Sequence, residues 1–128
     1  MIDHTGVFVS SFEVSKRFYT AALAPIGYKL IMEVPGALTG RGDAAGFGEP
    51  PKPDFWIGAG TPNVPPIHIA FRVANRALVD AFYQAAMAAG GKDNGAPGLR
   101  PHYHPNYYGA FVLDPDGHNI EAVCHETV

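Results

Sequence analysis

The stretch HTGVFV, residues 4–9, decides how this chain is read, because it returns as HIAFRV at residues 68–73. Both run His, any residue, small, apolar, any residue, Val, at an offset of 64. The same shift carries Val14 onto Leu78, Phe18 onto Phe82, Tyr19 onto Tyr83, Leu23 onto Met87 and Gly27 onto Gly91. One register kept across a strand-like run, a helix-like run and a glycine stop marks an internal duplication. Two units of 64 account for all 128 residues. The expected organisation is therefore a single domain over 1–128, with module one at 1–60 and module two at 66–128.

Each copy opens on a Val-, Ile- and Phe-rich run, 2–9 and 67–73, that reads as a β-strand. A helix follows in each. In the first, Ser10 or Ser11 is the cap, Val14, Phe18 and Ala21 or Ala22 trace an apolar stripe, and Gly27 ends it. In the second, Asn75 is the cap, Leu78, Phe82, Ala85, Ala86 and Ala89 form the stripe, and Gly90-Gly91 ends it. Shorter strands come next: YKLIMEV, AAGFG and DFWIG in copy one, YYGAFVL and NIEAV in copy two. The turn sequence DPDG makes 107–123 a hairpin. The unit is β-α-β-β-β twice, an α+β fold. GAGTPNVPP, 58–66, reads as a semi-rigid linker, and the Gly- and Pro-rich 92–106 as a long functional loop.

Composition narrows the partners. A net charge of −3 and pI near 6.0 give no basic field for nucleic acid. A single cysteine, Cys124, excludes an internal disulfide framework and a cysteine-rich zinc site. The opening MIDHTGVFVS has no basic region, long apolar run or cleavage site, so no secretory leader is expected. No apolar run reaches the ~20 residues of a membrane span. A soluble, cytoplasmic domain with a small-molecule partner is expected, binding neither nucleic acid nor membrane.

Strand parity then places the polar residues. His4, Gly6 and Phe8 share one face, as do His68, Ala70 and Arg72, and Asn119, Glu121, Val123 and His125. Glu121 sits between Ile120 and Ala122, where a carboxylate needs either solvent or a cation. Two repeat-related imidazoles and a strand carboxylate make a candidate two-His, one-carboxylate metal site, with positions left open for substrate. Such donors accept Fe, Mn, Zn or Ni alike. Taken singly, each residue has a plainer role: a hydrogen-bonded strand histidine, a solvent-facing glutamate. Around the site, Trp56, Phe47 and Phe55 offer apolar wall, although core packing suits Phe55 better. The loop RPHYHPNYYG supplies Arg100 as an anion clamp and His102, His104 or Tyr107 as proton carriers. His118, in the turn, and His125, near the end, are expected in solvent, and Cys124 in the core.

The segments IDHTGVFVSSFEVSKRFYTAAL, IHIAFRV and FVLDPDGHNIEAV resemble the vicinal oxygen chelate superfamily. That group includes glyoxalase I, bleomycin-resistance proteins, extradiol dioxygenases and fosfomycin-resistance thiol transferases. The resemblance implies tandem βαβββ modules forming a curled mixed sheet around a cup. It also implies metal ligands from the first and last strand of each module, which fall on His4, His68 and Glu121. The fourth position falls on Ile57 by the strict offset, or on Trp56 if Phe55 is aligned with Ile120. Neither can bind a divalent ion. Asp54 shares the parity of Trp56 but lies a step too far along the strand.

The resemblance implies a substrate held through adjacent oxygens on a divalent metal. The chemistry would be lyase, isomerase or dioxygenase type; the residues' own chemistry, not the resemblance, offers Trp56, Arg100, His102 and Tyr107 as substrate contacts. It also implies a homodimer whose cups combine modules from two chains. A different class remains open: a metal-free protein that sequesters a drug or metabolite, as bleomycin-resistance proteins do.

Overall fold

The computed structural model describes residues 1–128. Strand β1 (Thr5–Val9), helix α1 (Phe12–Leu23), β2 (Lys29–Val34), a one-turn helix α2 (Gly36–Thr39), β3 (Ala44–Gly48) and β4 (Phe55–Ala59) form the first half. The second comprises β5 (His68–Arg72), α3 (Arg76–Ala88), β6 (Lys92–Leu99), β7 (Tyr108–Leu113) and β8 (Asn119–Cys124). Each half folds into a four-stranded mixed sheet, ordered β1-β4-β3-β2 and β5-β8-β7-β6. In each, the first strand runs parallel to the last and the other neighbours are antiparallel. The two-module α+β fold foreseen from the repeat is present.

The parallel registers resolve the ambiguous position. Gly6 lies opposite Trp56, and Ala70, which matches Gly6 in the repeat, lies opposite Glu121. Trp56 is therefore the structural counterpart of Glu121, and the offset slips by one between the first and last strand of the unit.

Both helices cover one face of their sheets. Val7, Val9, Phe18, Tyr19, Phe47, Phe55 and Ile57 from the first half join Phe71, Val79, Phe82, Val112 and Ile120 from the second in one core. Burying a side chain such as Phe82 stabilises by roughly 1.5–3 kcal/mol. Phe47 belongs to this core rather than to a cup wall. The stripe of α1 is rotated from the expected one: Val14 is exposed, and Ser15, Phe18, Tyr19, Ala22 and Leu23 are buried. The reason is that α1 packs on both its own sheet and α3, which widens its apolar face. Ser11 is the N-cap residue of α1 but makes no side-chain cap bond. Asn75 caps α3, accepting from the Leu78 N–H at 3.0 Å. Gly90, at φ 102, turns the chain out of α3. Gly91 is needed for space, since a Cβ there would sit 2.4 Å from Val112 Cγ1.

Two expectations are overturned. Residues 92–99 are a strand, not loop. It lies at the sheet edge and breaks register at Gly95 and Gly98; an edge tolerates Pro97, whose missing N–H has no partner to disappoint. His118 is not in solvent but fully buried. Its Nδ1 accepts from the Ile67 N–H and its Nε2 donates to the Phe8 carbonyl, both at 2.9 Å. The DPDGH turn thus clasps the two halves. Asp114 takes the Tyr19 hydroxyl at 2.5 Å, and Asp116 takes both the amide and hydroxyl of Ser10.

Candidate functional site

Strand alternation leaves the face of each sheet away from the helices free. In the second half that face carries His68, Ala70 and Glu121, with Tyr107 and Phe111 beside them. Glu121 is 1% exposed although it points away from the core. Two groups cover it. His68 Nε2 lies 2.9 Å from Oε1, and the Tyr107 hydroxyl donates a short hydrogen bond to Oε2. The carboxylate is thereby satisfied on both oxygens without an Arg or Lys, and the imidazole that covers Oε1 is itself 52% exposed. Burial, then the hydrogen bond and charge of Glu121, hold the Tyr107 phenol well above the usual tyrosine range. It stays a donor at every physiological pH.

Tyr107 reaches Glu121 because the tip between β6 and β7 folds back on itself. The Arg100 N–H donates to the Tyr107 carbonyl at 2.7 Å, and Tyr107 N–H to His104 O at 3.0 Å. The same fold stacks rings at the mouth: Tyr103 on Tyr107 at 5.1 Å, His125 on Tyr107 at 5.4 Å and His102 on Tyr103 at 4.2 Å. His102 is thus one ring removed from Tyr107 and makes no contact with Glu121. Arg100 is turned onto its own hairpin. Its guanidinium donates to Gly98 O and Ala96 O and lies over Phe111 at 5.4 Å.

In the first half the corresponding face carries His4, Gly6, Phe8 and Trp56. His4 is exposed, and its Nδ1 donates to Asp3 at 2.7 Å. Asp3 is held in turn by Lys52 Nζ at 3.1 Å. The His4 contact, and after it Lys52, keep the Asp3 carboxyl below its usual range. A carboxylate fixed on one ring nitrogen orients the imidazole and leaves Nε2 as the free ligand atom. Asp3 was not singled out from the sequence; its adjacency to a candidate ligand was the available signal. Trp56 lies over Gly46. A cavity of about 540 Å³ opens beside it, lined by His4, Phe8, Arg41, Ala44 and Trp56 among others.

His4 does not join His68 and Glu121 within one chain: no group of three His, Cys, Asp or Glu residues is placed to hold a metal ion. The His68–Glu121 pair alone fits two corners of such a site. Two adjacent octahedral donors bound at ~2.1 Å lie about 3 Å apart, and Nε2 and Oε1 are separated by 2.9 Å, which is equally an ordinary hydrogen-bond distance.

The sequence matches the Glyoxalase/Bleomycin resistance protein/Dioxygenase superfamily over residues 1–122. The chain belongs to that superfamily. A glyoxalase/bleomycin resistance protein from Albidiferax ferrireducens shares 27% identity, covering 95% of this chain and 96% of that one, at a TM-score of 0.70. A family enzyme from Burkholderia phytofirmans is 18% identical over 98% of both chains, also at 0.70. A glyoxalase I variant from Zea mays is 19% identical, with 95% of this chain lying on 43% of that one, at 0.69. The last two likenesses establish the fold of this superfamily member and no more. No curated protein matches the sequence. No helix is long and apolar enough to cross a membrane.

Proposed function

We propose that this superfamily member is a cytoplasmic, metal-dependent homodimeric enzyme acting on a small substrate held through two adjacent oxygens. In this reading His68 and Glu121 of one copy and His4 of a second copy hold a divalent ion, Fe, Mn, Zn or Ni. When bound, the ion supplies Lewis acidity toward a negative charge developing on a substrate oxygen, as a lyase, isomerase or dioxygenase requires.

The observation that carries the reading is the buried Glu121 carboxylate, hydrogen-bonded to Tyr107 and to the exposed imidazole of His68. A buried carboxylate on the face away from the core is costly unless it is paired, and in this reading a divalent ion takes the place of the His68 hydrogen bond on Oε1. The chain's own residues then divide the work. Asp3 fixes the His4 ring, Tyr107 holds Oε2 of Glu121 so that Oε1 faces His68, and Trp56 replaces a fourth ligand with an aromatic wall. Tyr107, Tyr103 and His102 screen the mouth from water. Arg100 stiffens the hairpin that carries them, with its remaining donors directed to substrate. Assembly from two copies is supported by the separation of His4 from the His68–Glu121 pair within one chain.

A second reading, metal-free sequestration of a drug or metabolite, is favoured by Trp56 at the fourth ligand position. One experiment separates them. His4→Ala and Glu121→Gln proteins are each assayed for zinc, then mixed after unfolding and refolding. If cups form between chains, each variant alone loses the metal, and random mixing restores about one quarter of the wild-type capacity, since half the dimers regain one of two cups. No restoration, with both variants metal-free, rejects a cup shared between two chains. Metal content unaffected by either change leaves sequestration.

A further inference from the structure

We propose that the face around Trp56 binds an aromatic or similarly flat apolar carboxylate, with Trp56 and Phe8 gripping the ring and Arg41 the carboxylate. This deepens the reading above, because the hollow is the first-module half of the proposed cup, yet every contact in it lies within one chain.

The hollow is built for a flat body. The cavity of about 540 Å³ beside Trp56 adjoins another of about 510 Å³, and Phe8, Arg41, Ala44 and Gly58 line both. That is the volume of a small-ligand site. Its floor is nearly bare of side chains. The Trp56 ring lies against Gly46, beside Pro53, and the Phe8 ring against Gly58, so neither ring is held off the sheet by a side chain at those two positions. Phe8 is 52% exposed and offers its ring to the hollow. It is held there deliberately: its N–H donates to Asn63 Oδ1 at 2.8 Å, and its carbonyl accepts from the buried His118. The linker and the clasp together fix one wall of the slot.

The charge at the rim is equally specific. Arg41 follows α2 and lines both hollows, and its guanidinium forms no ion pair or hydrogen bond with the chain. The nearby Asp43 carboxylate is occupied, accepting from the Gly36 N–H at 2.7 Å. Arg41 therefore keeps its donors free beside the exposed Phe8 and the half-buried Trp56, where a bound anion can take them. A planar guanidinium pairs best with a planar carboxylate through two parallel hydrogen bonds. Arg100, by contrast, already donates to its own hairpin.

Trp56 is the only tryptophan, so its emission reports this slot alone. Protein freed of metal and kept in chelator is titrated with 2-naphthoate and, separately, with neutral 2-naphthamide. The expected result is saturable change of Trp56 emission by both, with naphthoate bound about tenfold or more tightly. Arg41→Met is expected to remove that preference while leaving the amide affinity unchanged, and Arg41→Lys to retain part of it. Absence of saturable binding, equal affinities in the wild type, or a preference that survives Arg41→Met overturns the proposal. Because chelator is present throughout, loss of the metal reading leaves this result standing. A protein that loads zinc but ignores naphthoate defeats this inference alone.

Discussion

His118 donates from Nε2 to the carbonyl of Phe8, 110 residues earlier in the chain, at 2.9 Å. Because its Nδ1 accepts from a backbone N–H, the ring proton is fixed on Nε2 and the imidazole is neutral in that tautomer. One side chain thus joins the last hairpin, the start of the second half and the first strand. His118→Ala removes a fully buried ring and strands a carbonyl and an N–H. A loss of about 3 kcal/mol is expected in chemical denaturation, with unfolding still a single transition. A change below ~0.5 kcal/mol would mean that the apolar core and the Asp114 and Asp116 contacts hold the halves without help from His118.

The neighbouring clasp gives a pH dependence. Burial, then the charge and hydrogen bond of Asp114, raise the Tyr19 phenol well above its ordinary value of 10.0. A group whose folded pKa is raised contributes stability that is complete below its unfolded pKa and is lost as pH climbs toward the folded one. Stability is therefore expected to be insensitive to this group up to about pH 10 and to fall above it. Tyr19→Phe should be weaker at neutral pH by roughly 1–2 kcal/mol, from the lost hydrogen bond to Asp114, but flatter between about pH 10 and 12. Equal slopes for the two proteins in alkaline melting curves would reject the assignment.

The duplication, the strand and helix order and the faces of His4, His68 and Glu121 were legible because period and parity are local properties of sequence. The register of β1 on β4 was not. A one-residue slip between first and last strand distinguishes Trp56 from Ile57, and only the paired strands of both halves fix it. Gly95, Pro97 and Gly98 hid β6, since an edge strand can tolerate residues that a central strand cannot. His118 misled for a related reason: a turn residue is usually wet, and nothing local announces that another module lies on top of the turn. Arg41 and Phe8 were missed because a free charge and an exposed ring are recognisable only once their neighbours are known.

Tyr107 is expected to position Glu121. Tyr107→Phe keeps the ring stack with Tyr103 and His125 but removes the donor to Oε2. A carboxylate freed on that side can rotate, and loss of such an outer partner typically lowers metal affinity about 10–100-fold. Zinc titration of the variant should show that drop while the fold is weakened by only about 1–2 kcal/mol. Unchanged affinity would leave Tyr107 a lid on the glutamate and nothing more.

Two glycines under the aromatic slot should respond differently to alanine. A Cβ at Gly46 would lie 2.9 Å from Trp56 Cζ2 and 2.8 Å from Pro53 Cβ, closer than real contacts allow. Trp56 must then lift or tilt, and Gly46→Ala is expected to cost about 1–3 kcal/mol and to shift the tryptophan emission. At Gly58 the added carbon would meet the Phe8 ring at 3.4 Å, an ordinary van der Waals contact, so Gly58→Ala should alter stability by no more than ~0.5 kcal/mol and leave the emission where it was. The pair is informative because both glycines lie on the free face of the same sheet. If the two variants behave alike, the Trp56 ring does not rest on the Gly46 backbone, and the bare floor that shapes the slot is not what holds the indole in place.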